Sequence, residues 1–211
     1  MGIVFVIFIH LVAIFLISTF FALVSIILTR VLSKVENRKR KMFFAGIAPY
    51  VGLYSFYIFG LFGAILVSEI KNVDIGIGDC WYVPIKGNCK LTFIDLEEQS
   101  YLDDDNKPLI ESVAYIQLTE DKLFGKTYDS LYFSYNMTTK DFQKYKSELE
   151  LLKDNDSPKL NLKKAMDFYI ERRNEIAGIY FTIVGVISAL TSIIILWILR
   201  KLIFKTTERY D

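Results

Sequence analysis

The sequence predicts a membrane α-helical protein of three spans that carries an extracytoplasmic α+β domain, with several antiparallel strands plus two helices. Three observations predict it. Uncharged apolar runs cover residues 3–29, 43–68 and 176–199. Lysine and arginine crowd the 30–42 connector and the segment after the third run. Between 70 and 175 the chain turns polar and turn-rich, with 15 Lys or Arg against 20 Asp or Glu, a net −5.

The first run, "IVFVIFIHLVAIFLISTFFALVSIILT", is longer than the ~20 residues that a spanning helix needs. No basic stretch precedes it and no small-residue cleavage site follows, so it reads as a retained span rather than a leader. A soluble core is the other place for such helices. A chain of 211 residues, 53% hydrophobic with mean hydropathy +0.33, is too small to bury three of them. The connector "RVLSKVENRKRKM" sets Arg30, Lys34, Arg38, Lys39, Arg40 and Lys41 against Glu36 alone. Short basic loops stay in the cytoplasm. The tail after the third run repeats the signature with Arg200, Lys201, Lys205 and Arg209. Both signals agree on one topology: N-terminus out, connector in, 70–175 out, C-terminus in. The predicted organisation is two spans over 1–69, an extracytoplasmic domain over 70–160, and a stalk, third span and basic tail over 161–211. The basic connector also suits anionic lipid headgroups on that same side.

Within the spans, small residues recur at helical spacing. Gly178, Thr182, Gly185, Ala189 and Ser192 share a face of the third, and Gly60 and Ala64 lie four apart in the second. Such faces allow close helix contact in lipid, and self-association of the chain is expected from them. Pro49 predicts a kink near the basic end of the second span. His10, the one histidine, lies in the first span. A neutral imidazole bonded to a neighbouring helix is the expected role, because no carboxylate or basic side chain in the spans could relay a proton.

In the exposed domain, "CWYVPI" (80–85) and "CKLTFIDL" (89–96) read as strands around a "KGN" turn. Residues 112–118 and 130–136 are further strands, the latter alternating Leu131, Phe133 and Tyr135 with Ser130, Tyr132 and Ser134. "LDDDNKP" (102–108) reads as a solvated loop, with Asp103, Asp104 and Asp105 facing water. Thr138 or Thr139 can cap a helix through "KDFQKYKSELELL", with Phe142, Tyr145, Leu149 and Leu152 as its seam. Leu162, Met166, Tyr169 and Ile170 stripe a second helix, 161–173, which no Pro or paired Gly separates from the third span.

Cys80 and Cys89 enclose eight residues, and in an oxidising compartment such a pair is expected to form a disulfide. A two-residue turn at Gly87–Asn88 would instead set Cys89 opposite Lys86, so the bond requires a broader loop. No histidine lies in the domain, which argues against zinc and against a Ser–His or Cys–His nucleophile. "GIGDCW" has two glycines where a dinucleotide loop needs three. Asp95, Glu97 and Glu98 read as a strand end facing water, and Asn136-Met-Thr138 matches a glycosylation sequon. The expectation is a protein that is not an enzyme and uses no cofactor. With net charge +1, no nucleic-acid partner is expected.

The pattern "GDCWYVPIKGNCKLTFIDL" followed by "LFGKTYDSLYFSYNMTTKDFQKYKSELELL" resembles β-rich envelope domains of Bacteroidetes-type bacteria. The resemblance covers roughly residues 75–175 and leaves out the spans. It brings no activity with it and implies a bacterial inner membrane with a periplasmic domain. The functional expectation is therefore a membrane-anchored binding module, such as a toxin-immunity or envelope accessory protein with a protein partner. The competing expectation is a ligand-sensing signalling or defence effector that acts through its helices.

Overall fold

The computed structural model describes residues 2–105, 107–155 and 159–205. It divides into two compact units, one of Met1–Leu66 with Tyr180–Asp211 and one of Val67–Ile179. Helices α1 (Ile3–Leu32) and α2 (Arg38–Lys71), and the helical stretch Ala165–Lys205, are each long and apolar enough to cross a membrane. The connector is shorter than the sequence suggests. Only residues 33–37 lie outside helix, and Arg38–Lys41 already form the first turn of α2. That turn carries no acidic residue, so four cations oppose the positive end of the helix dipole. Asn37 takes a left-handed φ of 56° at the reversal, and the Arg38 guanidinium donates to the Arg30 carbonyl. Helix α2 continues through Pro49.

Hydroxyls and glycines join the helices of the first unit. Tyr54 Oη donates to Leu11 O at 3.0 Å, and Thr19 Oγ1 meets Tyr50 Oη at 2.8 Å. On the other side of α2, Ser192 Oγ donates to Gly52 O at 2.7 Å and Ser55 Oγ to Ser192 Oγ at 3.1 Å. A Cβ on Gly63 would lie 2.5 Å from Val184 Cγ1, and one on Gly52 3.2 Å from Leu196 Cδ1. The small-residue contact thus keeps Ser192 of the expected face and adds Ser188. On the partner helix the buried residues are Ser188 and Ser192, while a Cβ on Gly185 would meet nothing within 4 Å. Gly60 does face Ser188, at 3.8 Å; Ala64 is half-buried; Gly178 lies against Asn174 of its own turn.

The second unit has two antiparallel sheets. The first is a meander of β1 (Cys80–Lys86), β2 (Cys89–Ile94), β3 (Leu96–Asp104) and β4 (Lys107–Glu111). The second has the order β8-β7-β6-β5-β9, from β5 (Val113–Leu118), β6 (Lys122–Thr127), β7 (Tyr132–Asn136), β8 (Asp141–Tyr145) and β9 (Lys163–Lys164). The chain passes between sheets at Ser112, with φ 56°, where Ser112 N donates to Ser100 O at 2.6 Å and Ser100 Oγ to Val113 O at 2.8 Å. Val83, Leu91, Phe93, Leu102, Ile116, Leu123 and Phe133 form the core.

Gly125 is open where Phe133, its partner across β6 and β7, lays its ring over the strand. A Cβ there would fall 2.1 Å from Phe133 Cζ. We expect Gly125→Ala to displace the ring and cost about 1–3 kcal/mol. Thermal unfolding of the full chain in detergent checks this, and an unchanged midpoint would contradict the packing.

Two predicted elements are corrected. The 102–108 segment is not a solvated loop: β3 runs to Asp104, and Asp103 and Asp104 are buried. The helix over 138–152 is a turn, a strand and a shorter helix. Asn136 Oδ1 accepts from Thr138 N and Thr139 N, Lys140 turns at φ 62°, and β8 follows. Helix α3 (Glu148–Asp154) starts at Ser147, whose Oγ accepts from Glu150 N at 3.3 Å. The stalk helix begins as α4 (Ala165–Arg173), passes through a π turn at Asn174–Gly178 and continues as α5 (Ile179–Lys205). Helical structure is therefore unbroken from Ala165 to Lys205, while residues 161–164, expected in the same helix, lie outside it, with Lys163–Lys164 forming β9.

Candidate functional site

The predicted disulfide is not present; both cysteines are free. The hairpin register explains why. Cys80 pairs with Ile94 at one end of β1 and β2, and Cys89 with Lys86 at the other, across the tight turn at Gly87. Six residues of strand, ~20 Å at the usual rise, separate the two positions, far beyond disulfide reach. Cys80 is exposed. Cys89 is buried, and burial, then the charges of Asp104 and Asp103, push its thiol up to about 12.

Consecutive aspartates on a strand point to opposite faces. Asp104 faces the second sheet. Tyr135 Oη and Lys140 Nζ both donate to its Oδ2, joining β3 to β7 and to the turn before β8. Burial works against its charge, but these donors outweigh it and hold its carboxyl below the ordinary value. Tyr135 is raised by burial and by the same carboxylate. The pair acts as a bolt between sheets.

Asp103 faces the other way, on the outer surface of the first sheet. There it pairs in register with Lys90 on β2 and Pro108 on β4. Thr92 Oγ1 donates weakly to its Oδ2 at 3.5 Å, and Lys90 Nζ stands 5.9 Å from the Tyr82 ring centroid. Asp103 is 8% exposed, and among the described residues neither its Oδ1 nor that of Asp104 has a hydrogen-bond partner. Burial raises its pKa despite the pull of Lys90 and Thr92. It lines a hollow of about 390 Å³ with Ile94, Tyr101, Pro108 and Glu111. Ile94 and Leu96, at the β2–β3 turn, are exposed. A half-satisfied carboxylate in a hollow shared with Glu111 leaves room for one further donor at Oδ1. The sequence reading missed it because three adjacent aspartates look like solvent-facing residues.

Asp74 is the third buried carboxylate and is already satisfied. Its oxygens accept from Gly76 N at 2.7 Å, Tyr169 Oη at 2.6 Å and Tyr82 N at 3.3 Å, and Arg173 Nε lies 3.5 Å away. Gly76 has φ +80°, and a Cβ would lie 2.8 Å from Arg173 Nη2. Tyr169 also stacks edge-on with Phe93, centroids 5.7 Å apart. This clasp fixes the 72–78 segment to α4.

The cations expected to set the topology fall at one set of helix ends. Arg30 is in the last turn of α1, Lys34 in the connector, Arg38, Lys39, Arg40 and Lys41 in the first turn of α2. Arg200 and Lys201 lie near the end of α5, with Lys201 Nζ 3.6 Å from the Trp197 ring centroid. Lys41, Arg200 and Ala189 line one groove of the helical unit. His10 Nδ1 lies 3.2 Å from Tyr57 Oη, on the neighbouring helix. Among the described residues, no group of three His, Cys, Asp or Glu is placed to hold a metal ion. Compared with known proteins, the chain matches no family model, no curated protein and no solved structure.

Proposed function

We propose that this is a multi-pass membrane protein with its N-terminus outside and C-terminus in the cytoplasm, presenting Val67–Ile179 as an extracytoplasmic binding domain. The binding face is the outer surface of the first sheet, and its ligand is a protein partner of the envelope that brings a cationic or amide donor to Asp103. Toxin immunity or envelope accessory work fits such a module, and the resemblance over 75–175 supports a bacterial inner membrane. The observation that carries the binding reading is the buried, unpaired Oδ1 of Asp103 in its hollow. The orientation rests on the charge pattern. The basic helix ends are those away from the chain positions where the domain is inserted, and basic flanks stay cytoplasmic.

A reporter inserted at the Gly87–Asn88 turn is expected to report the outside, and one fused after Asp211 the cytoplasm. The Gly87–Asn88 turn suits insertion because a Cβ on Gly87 would meet nothing within 4 Å. A cytoplasmic signal from the Gly87 insertion would reverse the orientation. A photo-crosslinker at Tyr101 should then capture one envelope protein, and Asp103→Asn should abolish that product. Capture unaffected by Asp103→Asn would remove the face from the account.

A further inference from the structure

A groove of about 890 Å³ runs between the helices of the first unit, lined from all three. Along α1 its lining steps from Phe21 through Ser25 and Thr29 to Ser33. Along α2 it steps back from Phe56 through Gly52 and Pro49 to Lys41, and along α5 from Ala189 through Ile193 and Leu196 to Arg200. Toward the connector the lining brings in Ser33, Lys41 and Arg200, beside Phe44 and Phe204. Phe21 to Ser33 covers ~18 Å at the helical rise, a little over half the ~30 Å hydrocarbon thickness. The groove is therefore about one leaflet deep, mainly apolar with hydroxyls at Ser25, Thr29 and Ser192, and carries Lys41 and Arg200 at its mouth, the connector end.

The mouth is unfavourable for the helix alone. Lys41 belongs to a first turn of four cations with no acidic residue, at the positive end of the α2 dipole. Anionic groups from outside the chain would relieve that repulsion. We infer that the groove is a site for one anionic phospholipid of the leaflet bordering the basic helix ends. An acyl chain lies along Phe21, Phe56, Leu53, Ile193 and Leu196, and the phosphate is held by Lys41 and Arg200 beside the Ser33 hydroxyl. Basic pockets between spanning helices commonly take such headgroups. The inference rests on the membrane-spanning part of the proposed function and is independent of what the exposed domain binds.

Native mass spectrometry of the full chain tests it, using mild detergent with equal phosphatidylglycerol and phosphatidylcholine. The unaltered chain should retain one phosphatidylglycerol in preference. Lys41→Gln with Arg200→Gln should cut that preference roughly 30-fold, the ordinary effect of two basic side chains at an anionic surface. Lys34→Gln with Lys201→Gln removes the same charge from side chains that do not line the groove and should leave retention unchanged. Ala189→Phe, which fills the groove and removes no charge, should abolish retention. Equal retention of the two lipids by the unaltered chain, equal loss in both double variants, or retention through Ala189→Phe would each overturn the site and leave only annular lipid. A chain that enters the aqueous fraction on carbonate extraction would instead reveal failure of the spanning reading itself.

Discussion

Replacing Asp74 with Ala is expected to open the exposed domain more than any other single change. The carboxylate is buried with Tyr169 and accepts bonds from two backbone amides, the Tyr169 hydroxyl and the Arg173 side. Its loss leaves Tyr169 Oη buried without its acceptor and removes the carboxylate that lies 3.5 Å from Arg173 Nε. Removing one partner of a buried pair costs about 3–5 kcal/mol. Cys89 supplies the readout. Its thiol is 1% exposed, so it reacts with maleimide only when the domain opens. In a Cys80→Ser chain, Asp74→Ala should speed Cys89 labelling by roughly 10²–10⁴-fold. A change under about threefold would mean that the clasp is peripheral to stability.

Asp103 and Asp104 should respond to substitution with opposite signs. Asp104 Oδ2 accepts from Tyr135 and Lys140, although its Oδ1 too lacks a partner among the described residues, so Asp104→Asn loses two charge-assisted bonds, at about 1.5–3 kcal/mol. Asp103 is buried with an unpaired oxygen, so Asp103→Asn should leave stability unchanged or raise it. The pH dependence follows. The folded pKa of Asp104 is lowered, so its contribution is complete above the ordinary carboxylate value of ~3.9 and is lost as pH falls through the folded value below it. The folded pKa of Asp103 is raised, so its charge costs stability at neutral pH, and that cost fades as pH falls toward ~3.9. Mild acid should thus raise the unfolding midpoint slightly before stronger acid lowers it, and Asp103→Asn should erase the rise. Thermal scans of the Trp81 signal in a Trp197→Phe chain measure this. A destabilising Asp103→Asn would make Asp103 a structural residue and remove the reason to see a binding face there.

The elements legible in the sequence were those with one dominant period or one dominant composition. Three apolar runs, and the β-rich 80–85, 89–96, 112–118 and 130–136 segments, became helices and strands close to their expected limits. Strand β3 was hidden because "LEEQSYLDD" mixes exposed glutamates with buried aspartates, a pattern that polarity alone assigns to a loop. Strand β8 was hidden because Phe142 and Tyr145 also suit a helical seam. The signal that could have separated the two is Ser147-Glu-Leu-Glu150, a helix-start pattern set after Tyr145 and now seen as the cap of α3. The candidate site was out of reach for a different reason. Whether a carboxylate is solvated, bolted or left unpaired depends on Thr92, Tyr135 and Lys140, which only the sheet register brings to it. The disulfide failed on that same register, because proximity in sequence placed Cys80 and Cys89 at opposite ends of one hairpin.

The central claim is that the Val67–Ile179 unit lies outside the membrane. Cys80 tests it without any inserted tag, because its thiol is free and exposed while Cys89 is buried. Partial burial and the nearby Asp74 charge hold the Cys80 thiol above its ordinary pKa, so labelling belongs at pH ~8.5, where more thiolate forms. Right-side-out spheroplasts treated with a membrane-impermeant maleimide should label the native chain once, and Cys80→Ser should abolish the label. Labelling of Cys80 only after the membrane is opened would place the unit in the cytoplasm and contradict the account.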